Sequence, residues 1–145
     1  MAANSRLTVA VHALAWLELA RRRGREVLTS EQVAASVNTN PVVIRRSLGR
    51  LADAGLVTVR RGTGAGWSLA RKAEEISLLE VYDAVDPEPV FALHATEPNP
   101  QCPVGFGIRP ALGHVYGAVE LGVRRELART TVADVLAETL RVKPT

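Results

Sequence analysis

The segment from Thr29 to Ala70, "TSEQVAASVNTNPVVIRRSLGRLADAGLVTVRRGTGAGWSLA", constrains the fold most, because its hydrophobic period changes from 3.6 to 2 partway along. Thr29 stands three residues before Gln32, the spacing of a capping box, and opens a short helix ending near Val37. The turn Asn38-Thr39-Asn40 follows. Asn40 suits the cap of the next helix and Pro41 its first position, where a missing N–H costs nothing. That helix runs to about Ala54 and stops at Gly55, so the pair reads as a helix-turn-helix.

Beyond Gly55 the alternating residues Leu56-Val57-Thr58-Val59 predict a strand, and Trp67-Ser68-Leu69 its return. Gly62, Gly64 and Gly66 fall between them, which makes the unit a β-hairpin wing. A phosphate-cradling loop would need a helix directly after the glycines. Here "WSLA" alternates instead, and the spacing lacks both the Lys-Ser/Thr of a P-loop and the last glycine of a dinucleotide fingerprint.

At about 100° per residue, Ile44, Ser47, Leu48 and Leu51 share the face of the third helix available for packing. Val42, Arg45, Arg46, Gly49 and Arg50 share the opposite face. Major-groove entry needs this set: charge for phosphates, forked donors for guanine edges, and little bulk at closest approach. A solvated basic face is the alternative for any helix taken alone, and the adjoining wing weighs against it. Thr39 and Asn40 in the turn, together with Arg61 and Thr63 in the wing, complete the candidate DNA contacts. Arg60 and Arg61 are adjacent in a strand and point to opposite faces, so Arg61 is the one assigned to DNA.

The first helix is expected from about Ser5 to Arg23, capped by Asn4 or Ser5 and stopped at Gly24. Its apolar run makes it the central core helix, with His12 read as a satisfied core histidine rather than a metal ligand. After the wing, Ser77 caps "LLEVYDAVD". Residues 87–109, rich in Pro and Gly, are expected to form a loop. A long helix then starts at Pro110, carrying Leu112, Val115, Tyr116, Val119, Val123 and Leu127 at three- and four-residue spacing. Gly113, Gly117 and Gly122 each cost about 1 kcal/mol relative to Ala in a helix interior, which suits close backbone approach at a helix crossing, a locally frayed helix being the alternative. His114 and Tyr116 border this face as candidate lining of an effector pocket. Thr131 and Asp134 open a last short helix. The expected division is thus residues 1–86, 87–109 and 110–145.

Charge sharpens the division. Residues 1–75 carry 12 Lys and Arg against 6 Asp and Glu, and the remainder 6 against 9. A basic first half beside an acidic second half points to a head that binds a polyanion, nucleic acid before membrane, and a tail with another task. No run reaches the roughly 18 apolar residues of a membrane span, and "LTVAVHALAWLELA" lacks the leader and cleavage site of a signal peptide. The single cysteine, Cys102, excludes an internal disulfide framework and fits a reducing cytoplasm. With histidines scattered at 12, 94 and 114, no catalytic constellation or metal cluster stands out, so no enzyme, metal or cofactor is expected. A protein-interaction module using the same fold is the alternative to a DNA-binding regulator.

Taken together, "NSRLTVAVHALAWLELA" and the segment from Leu28 through "ISLLEVYDAVD" resemble the Rrf-two family of bacterial winged-helix transcription regulators. The likeness covers roughly Asn4 to Asp86, and the wing departs from the family's usual pattern at Ala65-Gly66 and Trp67. It implies a mainly α fold with a small β-hairpin, a winged helix-turn-helix followed by a long dimerisation helix. It also implies homodimers, more often repressors, each protomer reading half of a near-palindromic operator, with the stripe Leu112 to Leu127 as dimer interface. Several members sense iron–sulfur clusters or nitric oxide through three cysteines before the long helix. This chain has only Cys102 there, so a three-cysteine site is absent. Cys102 reads first as an incidental or packing cysteine, since no basic neighbour is visible in the sequence to lower its pKa; the alternative is a redox switch, by disulfide formation across a dimer or by sulfenylation.

Overall fold

The structure, a computed structural model, describes residues 4–86 and 88–144. Its elements in order are α1 (Arg6–Arg22), α2 (Ser30–Val37), α3 (Pro41–Asp53), β1 (Val57–Arg60), β2 (Gly66–Leu69), a 3-10 turn (Ala73–Glu75), α4 (Leu78–Val85), α5 (Pro103–Ala128) and α6 (Val132–Arg141). The described residues form two compact units, residues 4–86 with 127–144, and residues 88–126.

In the first unit α1 is the central element. Asn4 Oδ1 accepts the Arg6 N–H at 2.8 Å, which satisfies one of the open donors at its start, and Gly24 closes it in the left-handed region at φ 85°. Ala10, Ala13, Leu14 and Leu17 are buried in the core. Glu18 is buried too, and accepts from Arg21 Nη2 at 2.8 Å and Arg22 Nε at 3.0 Å. The Arg21 hydrogen bond, aided by Arg22 and opposed by burial, holds this carboxyl below the usual range. His12 corrects its expected place in the core: it is exposed, with Nε2 2.8 Å from Ser36 Oγ. The neighbouring Val11 and Ala13 turn inward at the helical period, leaving position 12 on the rim.

The helix-turn-helix follows its local chemistry. Thr29 and Gln32 form the reciprocal capping box, Asn38 takes the left-handed turn at φ 64°, and Asn40 Oδ1 accepts the Val42 N–H ahead of Pro41. Ile44, Leu48 and Leu51 are fully buried. The two strands pair antiparallel with Val57 opposite Leu69 and Arg60 opposite Gly66. One neighbour of the hairpin was not legible in the sequence: Leu28 exchanges both backbone hydrogen bonds with Trp67, at 2.8 and 3.0 Å. Trp67 Nε1 also donates to Ser30 Oγ at 3.0 Å, tying the wing to the start of α2. Gly66 permits this approach, since a Cβ there would lie 2.9 Å from Leu28 O.

Thr131 and Asp134 form another capping box. Val132 N donates to Ile76 O and Leu78 N to Thr130 O, so the start of α6 is stitched beside the start of α4. Burial of Val132 and Leu136, at about 1.5–3 kcal/mol per side chain, places α6 in the core beside α1. Sequence spacing grouped α6 with the long helix, whereas packing joins it to the first unit.

In the second unit the long helix begins at Pro103, seven residues before the expected start. The density of Pro and Gly signals a loop, yet Pro103 takes the first helical turn, where its ring fits, and Pro110 lies inside the helix. A proline there removes one backbone donor, and the carbonyl it leaves open belongs to Phe106, which is exposed to water. Phe91 packs on Tyr116 with ring centroids 5.3 Å apart, and Val90 N donates to Glu120 at 3.3 Å. None of the described residues of α5 is buried.

Candidate nucleic-acid interface

The outward face of α3 presents Val42, Arg45, Arg46 and Arg50, all exposed, with Gly49 half-buried between them. Its packing face explains the orientation, because Ile44, Leu48 and Leu51 fix the helix against the core and leave the arginines outside. Val43, not singled out from the sequence, is as open as Val42, so the first turn of α3 offers two adjacent apolar side chains. Such contacts suit thymine methyl groups. Thr39 is half-buried, and Asn40 is exposed with its side-chain oxygen already engaged as the cap.

The arginines differ in how they are held. Arg45 Nη1 lies 3.3 Å from Glu31 Oε1 at the start of α2, and Arg50 Nη1 donates to Val85 O at 3.2 Å. Both contacts join residues distant in sequence, which helical spacing alone does not reveal. Arg46 has no hydrogen-bond or ion-pair partner among the described residues. In the wing, Arg60 is 3.6 Å from Glu26, while Arg61 has no such partner among the described residues. Arg61 and Thr63 are exposed at the hairpin tip, where Gly62 and Gly64 adopt φ of 77° and 72°. One open groove of about 380 Å³ is lined by Arg45 from α3, Glu31 from α2 and Arg60 and Arg61 from the wing. Of the expected set the structure brings Arg45 and Arg61 together at this groove, while Arg46 and Arg50 border a separate recess.

The dimer-interface candidates are less uniform. Leu112, Tyr116, Val119, Val123 and Leu127 are half-buried along α5, and Val115 is exposed. Leu112 and Tyr116 face Ala92, Leu93 and His94 of their own chain, so intrachain contacts use part of that stripe. His114 is exposed, on a different face from Tyr116. A Cβ added at Gly113, Gly117 or Gly122 would meet nothing within 4 Å, so the chain itself supplies no close neighbour for them.

Cys102 is exposed just before α5, and its carbonyl accepts the Phe106 N–H at 2.8 Å. Hydrogen bonds from the Gly105 and then the Val104 N–H lower its thiol below the ordinary value. The sequence does not show this cause, since its proline-rich stretch predicts a helix only from Pro110, whereas α5 begins at Pro103, directly after the cysteine. The described residues do not fit an iron or iron–sulfur group: the donor set at this position is one thiol, and no three His, Cys, Asp or Glu among them converge. None of the described helices is long and apolar enough to cross a membrane.

Similarity to known proteins matches this arrangement. YwnA of Bacillus subtilis (strain 168), named as a candidate HTH-type transcriptional regulator, is 44% identical over 134 residues, covering 92% of this chain and 96% of that protein. The HTH-type transcriptional regulator IscR of Cereibacter sphaeroides is 28% identical over 135 residues, covering 93% and 86%. A crystal structure described as a candidate DNA binding protein superposes with a TM-score of 0.72 at 38% identity, covering 91% of this chain and 99% of that one. The sequence pattern of the family described as Iron-dependent Transcriptional regulator matches residues 3–138. The chain thus belongs to the Rrf2, or Rrf-two, family of winged-helix transcriptional regulators, a family of regulators and not of enzymes.

Proposed function

We propose that this chain is a cytoplasmic, sequence-specific DNA-binding regulator that acts as a homodimer, a repressor on a near-palindromic operator. The observation that carries the reading is the outward face of α3, where Val42, Arg45, Arg46 and Arg50 stand exposed after a capped turn, with Arg45 beside the wing. In this reading Thr39, Asn40 and Gly49 allow close approach of α3 to the major groove, and Arg61 with Thr63 meets the backbone or minor groove. The head through residue 86, completed by α6, binds DNA, the stretch between residue 87 and α5 is effector-responsive, and α5 provides self-association. Exposed Val115 and Leu121 on α5 support that last assignment, since large apolar side chains at a helix surface gain by pairing. Cys102 makes operator binding responsive to peroxide, its accessible, acidified thiol being converted to a sulfenic acid.

Selection of bound sequences from random duplex DNA, with reduced and peroxide-treated protein, tests the reading. The expected result is a two-fold symmetric motif whose enrichment falls on oxidation in the native chain and not in Cys102→Ser. Absence of any enriched motif contradicts DNA reading, and equal enrichment before and after oxidation contradicts the role of Cys102.

A further inference from the structure

Between the start of α1, the flank of α3 and the end of α4 lies a recess of about 220 Å³. Arg6, Arg46 and Arg50 line it with Ser47, between the apolar walls of Val9 and Val43. Asp86 accepts from Asn4 Nδ2 at 2.8 Å and sits 3.9 Å from Arg6. Arg50 commits one nitrogen to Val85 O, leaving its other donors open. Arg46 is unpaired among the described residues. Most telling is Ser47 Oγ, an atom withdrawn from water in a half-buried residue, which has no hydrogen-bond partner among the described residues. A buried hydroxyl without a partner is costly and asks for an explanation.

The guanidinium groups of Arg46 and Arg50 disfavour a cationic guest, and an apolar guest would leave the Ser47 hydroxyl unsatisfied. An oxyanion answers both: it carries several acceptor oxygens, takes a hydroxyl donor from Ser47 and a forked pair from Arg46, and brings a negative charge to unpaired Arg46. We propose that this recess binds a phosphate-type oxyanion through Arg46 and Ser47, with Arg6 and Arg50 at its rim. A free phosphate in the recess draws Arg46 and Arg50 away from DNA and so acts as a small-molecule inhibitor of operator binding. A phosphate of the DNA backbone in the same place instead anchors α1 and α3 together on the duplex. This second half rests on the DNA-binding reading, while the anion site itself does not.

Calorimetric titration of the full chain with inorganic phosphate, against chloride at matched ionic strength and without DNA, tests the site. Duplex affinities of the same variants, measured on a sequence obtained by selection, identify the source of the phosphate. Saturable phosphate binding that weakens about tenfold or more in both Ser47→Ala and Arg46→Gln, the range of a hydrogen bond to a charged group, supports a free anion. No free phosphate binding, but a duplex affinity lowered about tenfold by Ser47→Ala, supports the backbone phosphate. If phosphate gives no more heat than chloride and Ser47→Ala leaves duplex affinity unchanged, the site is overturned. Arg61→Ala, which is not among the residues lining the recess, keeps the two readings apart. Its loss of duplex affinity sustains DNA binding even when the anion site fails, and saturable phosphate binding sustains the site even when no duplex is bound.

Discussion

In the first unit Leu14, Leu28, Ile44, Leu48 and Leu51 are withdrawn from water, whereas the 26 residues of α5 include no buried side chain and leave Val104, Phe106, Val115 and Leu121 open. Both regions are helical, and both are rich in Leu, Val and Ala. The difference lies in what covers them. Around α1 the apolar positions recur at helical period and meet α3, α4 and α6 from several sides. Along α5 they are interrupted by Gly113, Gly117 and Gly122, none of which has a neighbour within 4 Å of a would-be Cβ. A helix of 26 residues with an internal proline and several glycines is a weak helix by propensity alone. In the proposed reading a second copy covers this apolar surface, so that the first region serves folding and the second association.

The comparison breaks most sharply in the core. Leu48→Ala is expected to cost about 2–5 kcal/mol of unfolding free energy, read as a lowered urea midpoint, because Leu48 is fully buried. Leu121→Ala, at an exposed position, is expected to change that midpoint of the dissociated chain little. It should weaken self-association by about 2 kcal/mol, the order of burying one leucine, as measured by sedimentation equilibrium. An equal effect of both substitutions on folding would erase the distinction.

Glu18→Gln tests a polar element of the same core. Loss of the charge-assisted bonds from Arg21 and Arg22 is expected to cost about 1–2 kcal/mol, discounted because both arginines are partly exposed. The carboxyl is held low in the folded chain, so its contribution is complete above the unfolded carboxylate value and is lost as pH falls through the folded one. Urea midpoints of the native chain and Glu18→Gln should therefore differ at neutral pH and converge well below about pH 4. A difference that grows on acidification contradicts the sign. The smallest effect belongs to Thr131→Ala, which removes one half of the α6 capping box for about 1 kcal/mol, measured by thermal denaturation.

Local chemistry was the legible part of the sequence. Thr29, Asn40, Ser77 and Thr131 cap the helices they begin, since a cap depends on residues two or three apart. The outward set on α3 was legible for the same reason: helical period alone sorts Arg45, Arg46 and Arg50 from Ile44, Leu48 and Leu51. Contacts between distant segments were not. The pairing of Leu28 with Trp67, the return of α6 to α1 and the Arg50 bond to Val85 O join residues with no spacing in common. The start of α5 was misplaced because proline content argues for a loop, while Pro103 at a helix start is favoured by the ring's fixed φ. That one displacement also hid the cause of the acidified Cys102 thiol.

The central claim, that α3 and the wing read DNA, is tested most directly by the salt dependence of duplex binding. Fluorescence anisotropy on a selected duplex should give an affinity that falls linearly on logarithmic axes. Arg46→Ala and Arg61→Ala should each reduce the slope by about one if they meet phosphate, and each should cost about 1–3 kcal/mol where they meet a base. An affinity independent of salt, or one that neither substitution changes, contradicts the claim.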